Sequence, residues 1–203
     1  MHALIVTAHP LSQSFTHAVA GRLADGVEDA GHTAEIADLA REGFDPRFTA
    51  TDIARFLQQG PADADVLAEQ ARIDRADALA LVYPVYWWSM PGLLKGWIDR
   101  VFSQGWAYQE REGRDERRLG RLSVHLLAIG GADMRTYARH GYFGAMRTQV
   151  DHGIFEYCGA RVSTSELLAP LGDEAPARHL ATAFDIGRRL FAPHRERGLA
   201  EVA

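Results

Sequence analysis

Between an apolar run and an amphipathic pattern the chain carries Tyr83-Pro84-Val85-Tyr86-Trp87-Trp88-Ser89-Met90-Pro91, three large aromatic residues in succession within a proline-bounded loop. Each ring carries roughly 150–250 Å² of surface, and leaving one wet forfeits roughly 4–6 kcal/mol at about 25 cal/mol per Å². The loop therefore needs a cover, either the sheet and a partner subunit or a flat ligand stacked on the rings. A second candidate is Thr7-Ala8-His9-Pro10-Leu11-Ser12-Gln13-Ser14-Phe15-Thr16. It has neither G-x-G-x-x-G nor P-loop spacing. Hydroxyls and a histidine at a strand-to-helix turn nonetheless suit phosphate, because a helix N-terminus offers unpaired N–H groups and a favourable dipole. Ser12 and Ser14 are equally well explained as helix caps. The single cysteine, Cys158, excludes an internal disulfide and a thiolate-rich zinc site, and reads as a small buried hydrophobe.

The elements around these residues follow from periodicity. Ala78 to Tyr83 is almost continuously apolar, as in a strand covered on both faces, and Tyr83 is biased to extended geometry by Pro84, so the strand ends there. After Pro91, the residues Leu93, Leu94, Trp97, Ile98, Val101 and Phe102 keep helical spacing. The aromatic loop thus lies at the carboxyl end of a strand, where open α/β sheets bind ligands. Further strands are expected at Ala3–Thr7, Ala34–Ala37, Leu122–Ile129 and Arg161–Leu168. Helices are expected from Phe15 to about Gly31, near Thr51–Gln58 inside an irregular excursion, at Ala64–Arg75 and at Ala175–Leu190. This alternation predicts an α/β fold in one domain over residues 1–203, a doubly wound five-stranded parallel sheet with helices on both faces. Three segments, His9–Thr16, Pro84–Met90 and Gly130–His140, would then meet beyond the first, third and fourth strands. The mixed-charge stretch Glu110–Arg118 reads as a solvated connection.

With 203 residues, 47% of them apolar, the chain can bury a sizeable core. A net charge of −5, with 22 scattered basic residues, leaves no electrostatic footprint for nucleic acid. No apolar run approaches the roughly 18 residues of a membrane span, and the N-terminus lacks a basic leader, so a cytoplasmic protein is expected.

In combination, Ala8-His9-Pro10 with Ser14-Phe15, Gly43-Phe44-Asp45-Pro46, Ala68-Glu69-Gln70, Pro84 through Trp88, Leu94 through Phe102, Trp106-Ala107-Tyr108, Gly130-Gly131, Tyr137 and Tyr157-Cys158-Gly159 resemble the flavodoxin-like NAD(P)H:quinone oxidoreductase family. That family includes two-electron quinone reductases and the ancillary flavoproteins of potassium-efflux systems. The resemblance spans about Ala3 to Leu190 and implies the strand order 2-1-3-4-5. It implies that His9, Ser14, Phe15 and Thr16 line the diphosphate and ribityl side of a flavin. The backbone of Pro84, Val85, Tyr86, Trp87 and Trp88 would bond the ring edge, and Gly130 and Gly131 would let the chain approach the ring. Trp87, Trp88, Tyr108 and His140 would wall the acceptor slot. Tyr137 would hold the catalytic tyrosine position, with His140 as the catalytic histidine and Tyr142 as an alternative donor.

The chain departs from the family pattern at Thr16, at Ala128-Ile129 before the glycine pair, and in a Gly131-to-Tyr137 spacing longer by one residue. The implied reaction passes a hydride from NAD(P)H through the flavin to a quinone or similar flat acceptor, in a homodimer. The long excursion after Gly43 and Glu174 with Arg178 resemble members that hold FAD by its adenine end, which favours FAD over FMN, although the pair also has the spacing of an i, i+4 surface contact. Alternatives are a redox-sensing ancillary subunit in peripheral contact with a membrane transporter and a flavodoxin-type one-electron carrier.

Overall fold

In the computed structural model, which describes residues 1–111, 114–170 and 175–192, β1 (His2–Thr7) runs into α1 (Phe15–Asp29) and then β2 (Thr33–Asp38). Two helices, α2 (Ala50–Phe56) and α3 (Ala64–Arg75), precede β3 (Ala78–Pro84) and α4 (Gly92–Val101). A hairpin, β4 (Tyr108–Arg111) and β5 (Arg114–Arg117), comes before β6 (Ser123–Ile129). Then follow α5 (Met134–His140), α6 (Tyr142–Met146), a π-helical segment (Arg147–Glu156), β7 (Arg161–Leu168) and α7 (Ala175–Arg189).

The central sheet has five strands, all parallel, in the order β2-β1-β3-β6-β7, which is 2-1-3-4-5 when only its own strands are numbered. Side chains alternate across a strand, and the two sets enter separate cores. Leu4, Val6, Leu79, Leu81, Leu126 and Ala128 pack with Ile73 of α3, Leu94 and Trp97 of α4, and Tyr137 of α5. Ala3, Ile5, Ala80, Val82 and Leu127 pack with Val19, Leu23 and Val27 of α1 and Ala183 of α7. Local chemistry sets the helix starts. Ser14 caps α1 by accepting from the His17 N–H, and Thr49 with Asp52 forms a capping box on α2. Of the two serines, Ser14 is thus the cap.

The excursion between β2 and α3 is clamped rather than loose. Arg100 of α4 is buried and donates to Asp52 at 3.1 Å, Asp63 at 3.3 Å, Asp65 and the Asp45 carbonyl at 2.8 Å. Beside it, a Cβ on Gly96 would stand 2.3 Å from the Pro46 carbonyl oxygen, so the absence of a side chain lets the excursion lie directly on α4. Two expectations need correction. The stretch Glu110–Arg118 is not a simple connection: most of its described part is the β4–β5 hairpin, with Tyr108 opposite Arg117. Its polar strands have no apolar alternation to signal them, since backbone pairing needs none. The helices from Met134 to Glu156 lay in a region where periodicity offered no element. Glu174 lies outside the described residues.

Candidate active site

At the carboxyl end of β3 the aromatic loop closes as a tight turn: the Tyr86 N–H donates to the Ser89 carbonyl at 2.9 Å, and the Ser89 N–H to the Tyr86 carbonyl at 3.0 Å. Both central residues take positive φ, 49° at Trp87 and 62° at Trp88. Such turns ordinarily use Gly or Asn, and an L-residue there costs roughly 1–2 kcal/mol. The geometry separates the two indoles. Trp87 is 94% exposed, whereas Trp88 stacks on Tyr142 with centroids 3.8 Å apart and meets Tyr137 edge-on at 5.4 Å. The Val85 N–H donates to the Ile129 carbonyl at 2.8 Å, tying the loop to the end of β6. Pro84 has no N–H, and those of Val85 and Tyr86 are committed. Among the described residues, the N–H groups of Trp87 and Trp88 have no protein acceptor, so the donors of this segment lie on its two strained residues.

Gly130 and Gly131 follow β6. A Cβ on Gly130 would stand 2.9 Å from the Tyr137 hydroxyl, while one on Gly131 would meet nothing within 4 Å. Glycine at 130 thus leaves room for the phenol, and Gly131 borders open space. Tyr137 is 1% exposed, and burial raises its hydroxyl above the ordinary tyrosine value, keeping it protonated and able to donate. Its hydroxyl has no hydrogen-bond partner among the described residues. Tyr83 is also pushed up, chiefly by burial and then by the charge of Asp151. His140 is exposed at the end of α5 and stacks with Tyr142 at 5.1 Å, so Trp88, Tyr142 and His140 form a continuous aromatic wall.

At the end of β1, His9 accepts from the Leu11 N–H at 3.1 Å and meets the His17 ring edge-on at 6.3 Å. Ser14 lies 2.8 Å from Nδ1 of His17, whose Nε2 lies 2.9 Å from Asp38 at the end of β2. Burial raises the Asp38 carboxyl, but the His17 hydrogen bond, the Arg41 N–H and both side-chain charges outweigh it and hold it below the ordinary range. Asp38 therefore stays ionised and fixes the His17–Ser14 pair. Thr16 is buried, while Phe15 helps to line a cavity of about 230 Å³ with Ile129, Gly130, Leu168, Pro170 and His179. The segments after β1, β3 and β6 are therefore brought together.

Tyr108 stands apart from them. It lines a groove of about 440 Å³ with Phe48, Phe56, Ile98, Phe102 and Tyr157, on the excursion and hairpin side. Cys158, on that groove, is 3% exposed, with burial raising its thiol to about 11, as a packing residue requires. The residues at these strand ends fit a flavin: free N–H groups at Trp87 and Trp88, a glycine pair after β6, and a cap with uncommitted helix N–H groups at the end of β1.

The sequence matches the profile of a family described by its flavodoxin-like fold over residues 1–185. Ribosyldihydronicotinamide dehydrogenase [quinone] of Pongo abelii is 31% identical over 185 residues, covering 81% of this chain and 79% of the relative. The chain belongs to the flavodoxin-like NAD(P)H:quinone oxidoreductase family. A solved structure of this family, NAD(P)H:quinone oxidoreductase from Methanothermobacter marburgensis, superposes with TM-score 0.85 at 34% identity, covering 94% of this chain and 98% of the other. General stress protein 14 of Treponema denticola, solved in complex with FMN, superposes with TM-score 0.63 at 25% identity, covering 91% and 95% of the two chains. Within this family member, His17 and Asp38 escaped sequence reasoning. They lie 21 residues apart, and the only local signal was a histidine three residues beyond the Ser14 cap.

Proposed function

We propose that this chain is a flavin-dependent NAD(P)H:quinone reductase working by a ping-pong exchange. NAD(P)H enters, gives up a hydride and leaves as NAD(P)⁺; a quinone then takes the same place, accepting the hydride and one proton to become the hydroquinone. The bound flavin supplies the two-electron relay between them. The observation that carries this reading is that the strained Trp87–Trp88 turn keeps two N–H groups without a protein acceptor, while the Val85–Ile129 hydrogen bond ties its loop to the strand that ends at the glycine pair and Tyr137 packs against both Trp88 and Gly130.

In this reading the Trp87 and Trp88 N–H groups hold the polar edge of the ring system, and Gly130 and Gly131 admit it. Tyr137, kept protonated by burial, donates to negative charge that develops during reduction. His9, Ser14 and the N–H groups at the start of α1 hold phosphate, with Asp38 and His17 orienting Ser14. Trp88, Tyr142 and His140 offer an aromatic wall for flat acceptors. The cavity between Phe15, Pro170 and His179 favours FAD, giving its nucleotide end a place beyond the diphosphate, while the FMN complex of the Treponema denticola protein is the ground for the alternative. A second copy of this chain would cover the exposed aromatics Trp87, Phe48, Phe56 and Tyr157 and bring its Tyr108 toward the slot, as the family resemblance implies.

The deciding experiment is the absorbance spectrum of the purified protein, with mass spectrometry of the released cofactor and menadione reduction under NADH and NADPH. A yellow protein releasing FAD and turning over menadione is expected. A colourless protein that no flavin reconstitutes would refute the reading.

A further inference from the structure

Helix α5 turns Tyr137 into the core and leaves Arg135 and Arg139, four residues apart, on its other side. These two arginines, with Asp133, Thr136 and His140, line a polar cavity of about 240 Å³. Among the described residues, neither guanidinium forms an ion pair with a carboxylate, in contrast to Arg72 and Arg100, which each gather several acidic partners. The one acid in the cavity is already engaged. Asp133 caps the helix by accepting from the Thr136 N–H at 2.9 Å, which, with the nearby charges of Arg135 and Arg139, keeps its carboxyl below the ordinary range.

In a chain of net charge −5, two uncommitted guanidiniums around one cavity call for an anion. The planar fork of arginine suits phosphate in particular. His140 belongs to both places: it lines this cavity and stacks with Tyr142 at 5.1 Å, and Tyr142 stacks on Trp88. The cavity therefore begins where the aromatic wall ends. A ligand that reaches both must carry a flat ring at one end and a phosphate at the other. A quinone does not meet this description, whereas nicotinamide dinucleotides do; of these, only NADPH carries a phosphate monoester, close to a dianion at neutral pH, which matches two unpaired guanidiniums better than the diphosphate it shares with NADH.

We propose that the Arg135–Arg139–His140 cavity binds the 2′-phosphate of NADPH and so makes the enzyme prefer NADPH to NADH. The inference rests on the proposed function, because it assigns the electron donor of that same site. In steady-state assays of the holoenzyme with menadione, kcat/KM should favour NADPH by at least about tenfold. In Arg135→Gln and Arg139→Gln, the NADPH:NADH ratio should fall by about ten- to hundredfold, through a higher KM for NADPH. Calorimetry on the same proteins compares adenosine 2′,5′-bisphosphate with ADP. The former should bind more tightly to the wild type, and the advantage should vanish in the double variant. A wild-type ratio near one, a ratio unmoved by either substitution, or equal binding of the two adenosine phosphates would overturn the assignment. Failure of the flavin-loaded protein to oxidise either coenzyme would instead overturn the proposed function.

Discussion

In the proposed reaction Tyr137 is a proton donor whose surroundings suit that role: burial keeps the phenol protonated, and Gly130 leaves room beside it. Tyr137→Phe keeps the ring that packs against Trp88 and removes the donor. Pre-steady-state flavin reduction by NADPH should slow by about 10²- to 10⁴-fold while flavin content stays near that of the wild type, and an unchanged rate would remove Tyr137 from the chemistry. Trp87 poses the opposite problem, a residue with almost no burial in a costly conformation. Trp87→Gly relieves the positive-φ strain but adds backbone entropy to the unfolded chain, so stability should change by less than about 1 kcal/mol. Menadione turnover should nonetheless fall. A larger loss of stability in urea titration would mean that the indole is packed against a partner.

Among the elements, the excursion before α3 depends on α4 for its place. Arg100 gathers carboxylates from Asp52, Asp63 and Asp65, and Gly96 allows contact with Pro46. Removing Arg100 leaves the buried Asp52 carboxylate uncompensated, while the more exposed Asp63 and Asp65 can turn to water, so Arg100→Ala should cost about 3 kcal/mol in denaturant unfolding. Gly96→Ala forces a Cβ against the Pro46 backbone and should cost about 1–3 kcal/mol, with proteolysis between residues 41 and 63 as the local readout. If Gly96→Ala melts like the wild type, the excursion is free to shift. The same clamp places Phe48 and Phe56 on the groove that Tyr108 lines, so both substitutions should also weaken the proposed dimer if it forms over this groove.

For the whole molecule, acid is the condition that separates the buried titrating groups. His125, on β6 between Ser123 and Thr164, is driven down to about 4 by burial and by the charge of Arg161, from an ordinary 6.5. As pH falls through 6.5 the unfolded chain takes up a proton that the folded one refuses until about pH 4. Stability should therefore drop across that window by up to about 3 kcal/mol. In His125→Asn the drop should be largely absent in urea titrations from pH 7 to 4. Asp38 and Asp65 act lower down. Their carboxyls are held below 3.8, so what they contribute is present above that value and lost as pH falls through their folded values. The two windows are thus distinguishable in one pH series.

Local pattern was enough for much of this molecule. The limits of α3 at Ala64–Arg75 and of β7 at Arg161–Leu168 follow from apolar period and flanking breakers, which are properties of neighbours in the chain. The parallel order of the central sheet and the meeting of the segments after β1, β3 and β6 follow from the same alternation and the family resemblance. Other features depend on distances between residues remote in sequence, which packing alone sets. No propensity favours two tryptophans in left-handed geometry, and no spacing joins Asp38 to His17, or Asp52 and Asp65 to Arg100. The aromatic loop was thus legible, as a turn at the carboxyl end of β3, from residue types and the position of Pro84. Which indole turns inward, which N–H groups remain free, and which arginines stand unpaired beside the slot were decided only when the chain closed on itself, because each is a matter of contact across the fold rather than along it.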